Sequence, residues 1–536
     1  MDRLESALAD WREAIGTGQV LTARTFLASA ETATFATTQQ VPAILRPGSR
    51  EDVQACLRIA QAHGVPLYAV SRGKNWGYGS RVPACDGCVL LDLGRMDRIV
   101  DFDPKLAWVT VEPGVTFRRL HQFLAGREAP LFMAATGSSP DASLIGTAME
   151  RGDGTGPLGD IFRHVCALEV VLPTGECVRT GLARYPGALA APLHSWGVGP
   201  ALDGLFSQSS LGVVTQMTFW LSPLPGHFQL FLANIRSKDR LEAFVDALQG
   251  LSLQGAIPVP FYLWNDVKSL SLLRRYPWEA AGGRTPLPDA ILEKFHRRRW
   301  GGLWTACGAL YSPSARVGRA EKSLVRQALR GRADRLVFVT PLVSRLAGWI
   351  RAPYRWATGR DLQRIAHYRQ RNPFLGWPID RNLATAYWRK KAKFREMTDP
   401  DRDRCGFIWI SVALPFRGGD LQRAEAAVLP LFRQHGFEPN LACIAISPRC
   451  LYFLPAVIYD RDVPGEDQRA MACHDEILAG LIRIGYYPFR LGIQSMGSMP
   501  PSADDTDRLL EKLKDTLDPN HVLSPGRYDF KPTEDG

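Results

Sequence analysis

From residue 41 to about residue 221, short apolar runs alternate with amphipathic stretches and glycine-rich turns. Glu51 and Asp52 open a segment reaching Ala62 in which Val53, Cys56, Leu57, Ile59 and Ala60 recur at helical spacing, with Gly64 as the stop. That pattern predicts a helix with one buried stripe. Residues 66–70, 89–93, 107–111 and 167–172 read as strands, residues 117–124 as a second helix. Their connections are too short for a doubly wound sheet, so the class is α+β with mixed strand order. After Pro223-Leu224-Pro225-Gly226 the texture becomes richer in Arg, Trp and Pro up to about Tyr487. Strands are expected there at 228–233, 407–413 and 452–458, and helices at 237–248 and 421–434. The last fifty residues return to the earlier style. The expected organisation is residues 1–223, an inserted second unit at 224–486, and a C-terminal return at 487–536.

The chain's 536 residues, 46% hydrophobic and 22% charged, are ample for two cores. The formal net charge of +11 gathers in Arg274-Arg275, in His296-Arg297-Arg298-Arg299 and along 345–371. No zinc finger, RNA-binding motif or basic heptad accompanies these clusters, so no nucleic-acid partner is expected. A solvated basic face, or one that docks an anionic substrate or an acidic carrier protein, is the reading they support. Residues 1–16 carry charges throughout and lack a signal peptide's apolar run, and no long apolar stretch predicts a membrane span. A cytoplasmic enzyme is expected. Residues 336–356 mix apolar bulk with arginine and suit a helix over a sheet or, less well, a membrane surface.

Ten cysteines are too few for a disulfide framework. In Cys85-Asp86-Gly87-Cys88 the central Asp-Gly predicts a hairpin turn rather than a zinc or redox site. His121 and His164 are expected to be structural.

The sharpest chemical feature is the turn Ser71-Arg72-Gly73-Lys74-Asn75-Trp76-Gly77-Tyr78-Gly79-Ser80, directly after an expected strand. Three glycines let consecutive N–H groups converge on one anion, and Arg72 and Lys74 add charge; a pyrophosphate suits such a nest. Further small-residue loops follow: Glu112-Pro113-Gly114, the stretch from Gly137-Ser138 to Ile145-Gly146, and Glu150-Arg151-Gly152-Asp153-Gly154 leading to Leu158-Gly159. The run Ser209-Ser210-Leu211-Gly212-Val213-Val214 then enters a strand. Each lets backbone approach a flat, diphosphate-bearing ligand.

These segments, RGKNWGYGS, VEPGVT, MERGDGTGPLGD, DGLFSQSSLGVVT and the closing LDPNHVLSPGR, resemble the vanillyl-alcohol oxidase and p-cresol methylhydroxylase flavoproteins. The resemblance covers nearly the whole chain, most weakly in the middle. It implies a two-subdomain FAD-binding domain of the PCMH type and a cap domain whose antiparallel sheet is flanked by helices. It implies FAD contacts from Arg72 through Ser80, from Pro113, Gly137, Ser138, Ile145, Gly146, Glu150, Arg151, Gly152, Gly154, Leu158 and Gly159, and from Gly212, Val213, Val214, Arg490 and Arg527. Family members that act on phenols hold the phenolate with two tyrosines and an arginine. Here the resemblance places Tyr78 and Arg490 at two of those positions, with Phe489 where the second tyrosine would be. Ser138 falls where vanillyl-alcohol oxidase has an aspartate, and Tyr452 where the phenol oxidisers carry a histidine, which makes Tyr452 a candidate acid or base. The histidine linkage to flavin would fall near Phe407 and a tyrosyl linkage near 393–404, which lacks tyrosine; Tyr387 is the nearest. Dissociable FAD is expected.

The function implied is hydride removal from an anionic or phenol-like small molecule, a specialised-metabolite intermediate undergoing desaturation or oxidative cyclisation. Oxidation of a 4-alkylphenol or benzylic alcohol is the alternative within enzymes, and a non-catalytic flavin-binding subunit the alternative outside them. A homodimer is compatible with either.

Overall fold

The protein is described here by a computed structural model covering residues 3–297, 301–340, 343–344, 346–347, 349 and 372–529. Helix Arg50–His63 starts where the Ser49 side chain accepts from the Asp52 N–H and stops at Gly64, whose φ is 63°. It sends Val53, Cys56, Leu57 and Ala60 into a core shared with Leu8 and Trp11 of helix Arg3–Ile15. A four-stranded sheet runs in the order Val20–Leu21, Ile44–Leu45, Val89–Asp92, Leu67–Val70, with Val89–Asp92 parallel to both neighbours. Beside it lies an antiparallel sheet ordered Cys177–Arg179, Val165–Val171, Val213–Trp220, Trp108–Val111, Ile99–Asp103. The mixture is α+β, as the pattern predicts.

The Cys85–Cys88 segment is a turn, with Gly87 at φ 74° and the Asp86 carboxylate accepting from the Gln40 N–H, but it is not a hairpin. The strand that follows it pairs in parallel on both sides, so its partner comes from elsewhere in the chain. Burial pushes the Cys88 thiol up to about 12, which makes it inert.

The middle of the chain builds one large antiparallel sheet, ordered Arg335–Val339, His227–Ile235, Trp304–Ser312, Phe261–Asn265, Asn440–Ser447, Cys450–Asp460. The long strand Cys450–Asp460 pairs at its far edge with both Cys405–Trp409 and Val412–Pro415. One continuous strand is expected over 407–413. It is interrupted at 410–411 because Pro455, opposite Ile410, has no N–H to give the ladder. Ile410 donates to the Pro455 carbonyl at 2.9 Å, and the Ser411 carbonyl is taken by the Phe489 N–H at 3.1 Å. Alternation along the strands divides the sheet. Phe261, Leu263, Cys443 and Phe453 enter a core with helices Leu241–Leu253, Gly418–Gln434 and Glu466–Arg483. Tyr262, Trp264, Ala442, Ile444 and Leu454 cluster on the other face.

The C-terminal segment comes back to the first sheet. Leu67 donates to the Val522 carbonyl and accepts from the Ser524 N–H, at 2.7 and 2.6 Å, while Lys514 reaches the carbonyls of Ser210 and Leu523. Among the described residues no helix is long and apolar enough to cross a membrane. Of the stretch 336–356, residues through Val339 are a sheet strand rather than a helix; most of its remainder, like the basic run 345–371 and Arg298-Arg299, lies outside the described residues.

Candidate active site

A cavity of about 420 Å³ lies between the apolar face of the large sheet and the loops of the two smaller ones. Its first wall is the turn after strand Leu67–Val70. Gly73, Gly77 and Gly79 have φ of 61°, 82° and 113°, which side chains rarely adopt. Two of these glycines also make room: a Cβ on Gly77 would stand 2.6 Å from the Trp409 ring, and one on Gly79 2.6 Å from Ile493. The turn is pinned by Asp401, which accepts from Trp76 Nε1 at 3.0 Å and Ser80 Oγ at 2.9 Å; burial pushes its carboxyl up to about 7.

Most of the residues expected at a cofactor line this cavity: Arg72 through Trp76, Tyr78, Ser80, Pro113, Gly137, Ser138, Ile145, Gly146, Glu150, Gly152, Gly212, Val213, Val214, Arg490 and Arg527. Gly77 and Gly79 shape the turn without lining it. Arg151, Gly154, Leu158 and Gly159 also stand off the lining. Arg151 donates through Nε to Ser207 Oγ at 2.7 Å. Gly154 donates to the Gly159 carbonyl at 2.8 Å in a ribbon so tight that a Cβ on Gly159 would lie 2.0 Å from the Gly154 oxygen; Leu158 is half-buried in the same turn. These four residues support the wall instead of forming it.

At one end Glu150 organises the charge. Arg527 and Tyr528 both donate to it, and Arg490 Nε stands 3.7 Å away. Burial pushes the Glu150 carboxyl up, but Arg527 and Arg490 outweigh it and leave its pKa below the ordinary value. Arg490 places its guanidinium 4.1 Å from the centre of the Tyr78 ring, donates through Nη2 to Asn75 Oδ1 at 2.5 Å, and keeps Nε buried with no hydrogen-bond partner. Tyr78 shares a 2.5 Å hydrogen bond with Ser411 Oγ, at the strand break imposed by Pro455. Burial raises its pKa, against the pull of Arg490, so its hydroxyl stays protonated. Tyr78 and Arg490 thus lie ring to guanidinium on the cavity wall, a phenol and a cation whose donors suit an anionic oxygen.

Tyr452 is placed differently. It stacks on Phe489 with ring centroids 3.5 Å apart and planes 9° from parallel, and Phe489, not Tyr452, lines the cavity. Ser138 donates to the Lys74 carbonyl at 3.0 Å, so its hydroxyl is spent on the loop. His121 packs edge-on to Trp377 and His164 bonds the Asp160 carbonyl, both structural contacts.

Two ionisable groups stand out on the wall. Asp153 is half-buried there; burial pushes its carboxyl up to about 6 despite Arg490 and Tyr262. Lys268 is 8% exposed, and burial alone pulls its amine down to about 8. Nothing in the sequence marks Lys268. Tyr262 and Trp264 were equally unmarked; the Tyr262 hydroxyl shares a 2.8 Å hydrogen bond with Thr155.

The residues present fit a flavin dinucleotide. Backbone from 71 to 75 borders the cavity, Gly146 comes so close to Ser71 that a Cβ would stand 2.7 Å from its hydroxyl, and a guanidinium N–H is left unsatisfied beside the wall.

Fold and site together define a flavoprotein oxidoreductase, and residues 41–181 match the family described as an FAD binding domain. The chain belongs to the p-cresol methylhydroxylase-type family of FAD-dependent oxidoreductases. It is 48% identical over 529 residues, 98% of each chain, to the 1'-carboxy-chondrochloren decarboxylase of Chondromyces crocatus. It is 29% identical over 483 residues to the hydroxylating 4-cresol dehydrogenase flavoprotein subunit of Pseudomonas putida, covering 89% of this chain and 85% of that one. Among solved structures it resembles p-cresol methylhydroxylase with substrate bound, at a TM-score of 0.86 and 25% identity over 98% and 97% of the two chains. The 4-ethylphenol oxidase of Gulosibacter chungangensis, in an isoeugenol complex, gives a TM-score of 0.86 at 26% identity over 99% and 98%.

Proposed function

We propose that this FAD-dependent oxidoreductase oxidises a phenol-bearing specialised metabolite at the side-chain carbon attached para to the hydroxyl, and that a carboxylate is lost from the adjoining carbon as CO2. The observation that carries the first half is the half-buried Arg490 guanidinium lying over the buried Tyr78 ring on the cavity wall. The second half draws on the decarboxylase to which the chain is 48% identical.

Tyr78 donates its hydroxyl hydrogen and Arg490 a guanidinium N–H to the phenolic oxygen, stabilising the phenolate. Asp153, on the same wall, takes the phenolic proton; the Ser138 hydroxyl is engaged by the Lys74 carbonyl, and Tyr452 does not line the cavity. Phe489, backed by Tyr452, and Trp264 hold the ring flat and exclude water. FAD, when bound, supplies the two-electron acceptor for a hydride. Loss of hydride from the benzylic carbon turns the phenolate into a neutral quinone methide. When the bond from the next carbon to its carboxylate breaks, the electron pair forms the side-chain alkene and restores the phenolate, and CO2 departs. Atoms and charge balance without an added proton.

FAD is held without a covalent bond in this reading. Phe407 stands where a histidine linkage would fall, and the Tyr387 hydroxyl is committed to Asp403 at 2.5 Å and to the Asp399 N–H at 3.1 Å. The test is anaerobic mixing of holoenzyme with 3-(4-hydroxyphenyl)propanoate, followed by acid precipitation. The expected outcome is flavin bleaching with equimolar CO2 and 4-vinylphenol, and yellow colour in the supernatant. Bleaching that yields 4-hydroxycinnamate without CO2 reduces the function to desaturation. Bleaching only by 4-alkylphenols returns it to phenol oxidation, and no bleaching by any phenol refutes it.

A further inference from the structure

Three lysines are buried among the described residues: Lys268 at 8% exposure, Lys390 at 2% and Lys514 at 3%. Lys390 is paired with Asp460 at 2.7 Å, and Lys514 with Asp518 at 2.8 Å. That is the rule, because a buried ammonium without a counter-charge is costly. Lys268 breaks it. Among the described residues no carboxylate lies within ion-pair distance; its nearest polar partner is Thr385 Oγ1 at 3.5 Å, and its amine lies over the Trp409 ring, 5.3 Å from the centroid. It is also the one of the three that lines the cavity.

The position is held firmly. Asn265 caps helix Asp266–Leu273, its side chain accepting from the Lys268 N–H at 2.9 Å, and its own amide donates to the Pro439 carbonyl. Trp409, the ring beneath the amine, is the same side chain against which Gly77 packs, one residue before Tyr78. The ammonium and the turn that carries Tyr78 therefore both border the Trp409 ring, and Lys268, Trp409, Tyr78 and Arg490 line one cavity.

We propose that Lys268 is the carboxylate-binding group of this cavity, pairing with the acid of a substrate whose far end carries a phenol. This deepens the proposed function and rests on it for the phenol half alone. The wall around the amine is apolar, with Leu272, Ala386 and Trp409, so a carboxylate held there sheds most of its water. That favours release of uncharged CO2 once the adjoining carbon is oxidised.

The test uses holoenzyme and probes that resemble the substrate but have an ether oxygen in place of the benzylic carbon, so no hydride can leave. These are (4-hydroxyphenoxy)acetate, its methyl ester, phenoxyacetate and 4-methoxyphenol. Affinity is measured at pH 7 by calorimetry for the wild type and for Lys268→Met. The acid should bind the wild type about tenfold or more tightly than its ester, as expected for a hydrogen bond to a charged group, and the gap should close in K268M. If the ester and 4-methoxyphenol bind but the acid gains nothing, or keeps its gain in K268M, the inference is overturned while the phenol reading stands. If phenoxyacetate binds in a Lys268-dependent way and the hydroxyl adds nothing, the anion site stands and the phenol reading falls. If no probe binds, both fall. Should K268M not fold, Lys268→Gln takes its place, with the same two outcomes.

Discussion

Replacing Asp153 with Asn separates what that carboxyl does for the reaction from what it costs the fold. Burial raises its pKa from 3.8 to about 6, so the charged form is disfavoured in the folded protein relative to the unfolded one. The sign follows: the carboxyl is ionised in both states above pH 6, and folding then bears the full penalty. As pH falls toward 4 the folded state takes up its proton first and the penalty fades. At about 1.36 kcal/mol per unit, the shift corresponds to about 3 kcal/mol, an upper figure because water in the cavity screens part of it. With an unfolding entropy of about 2.1 cal/mol/K per residue over the whole chain, that is a rise in Tm of about 3 °C for D153N. The gain should be present at pH 8 and mostly gone at pH 4.5. Catalysis should move the other way. The base must be ionised, so wild-type kcat/KM should fall below pH 6, whereas D153N should lack that limb and run about a hundredfold or more slower at pH 8. Thermal melts at the two pH values and a kcat/KM profile on a carboxylated phenol read both effects. An acid limb near pH 6 that survives in D153N, or a Tm gap equal at pH 4.5 and pH 8, refutes the assignment.

Tyr78→Phe removes the hydroxyl shared with Ser411 while leaving the ring under Arg490. A lost hydrogen bond to a charged oxygen is worth about 1.5–3 kcal/mol, so kcat/KM should drop by about 10- to 150-fold, with the flavin content of the purified protein unchanged; loss of flavin as well would make Tyr78 a cofactor contact first. Arg389, which does not line the cavity, lies 2% exposed between Glu438 at 2.6 Å and Glu466 at 3.1 Å. Arg389→Met leaves the buried Glu438 carboxylate without a cation, while Glu466 keeps Arg469 at 3.0 Å, and should destabilise by about 3 kcal/mol, read by chemical denaturation; a loss under 1 kcal/mol would mean that water reaches the pair.

How much of this was legible beforehand depends on how far each feature reaches along the chain. The turn at 71–80 was readable because positive φ is a local demand that glycine meets locally. Tyr78 lies inside that turn, whereas Arg490 was readable only through the resemblance to the phenol-oxidising family. Tyr262 and Trp264 lie in a strand the sequence reading did not mark, and only the pairing Tyr262↔Ile444 and Trp264↔Ala442 puts both on the cavity face of the large sheet, opposite the side its helices cover. The same limit misplaced the Asp86-Gly87 turn as a hairpin, because turn chemistry describes four residues while strand direction is settled by partners at 44–45 and 67–70. Tyr452 shows a subtler failure. It pairs with Ile444, which lines the cavity, and Phe489, arriving from the C-terminal segment, covers it. Lys268 marks the far end of this scale. A lysine is ordinary in any sequence, and its meaning here comes from what fails to reach it: Thr385, 117 residues away, offers only a long hydrogen bond, and no acid among the described residues arrives. An unpaired charge is a property of the assembled wall, so a binding group of this kind can be found only after the fold has shown which lysines have partners.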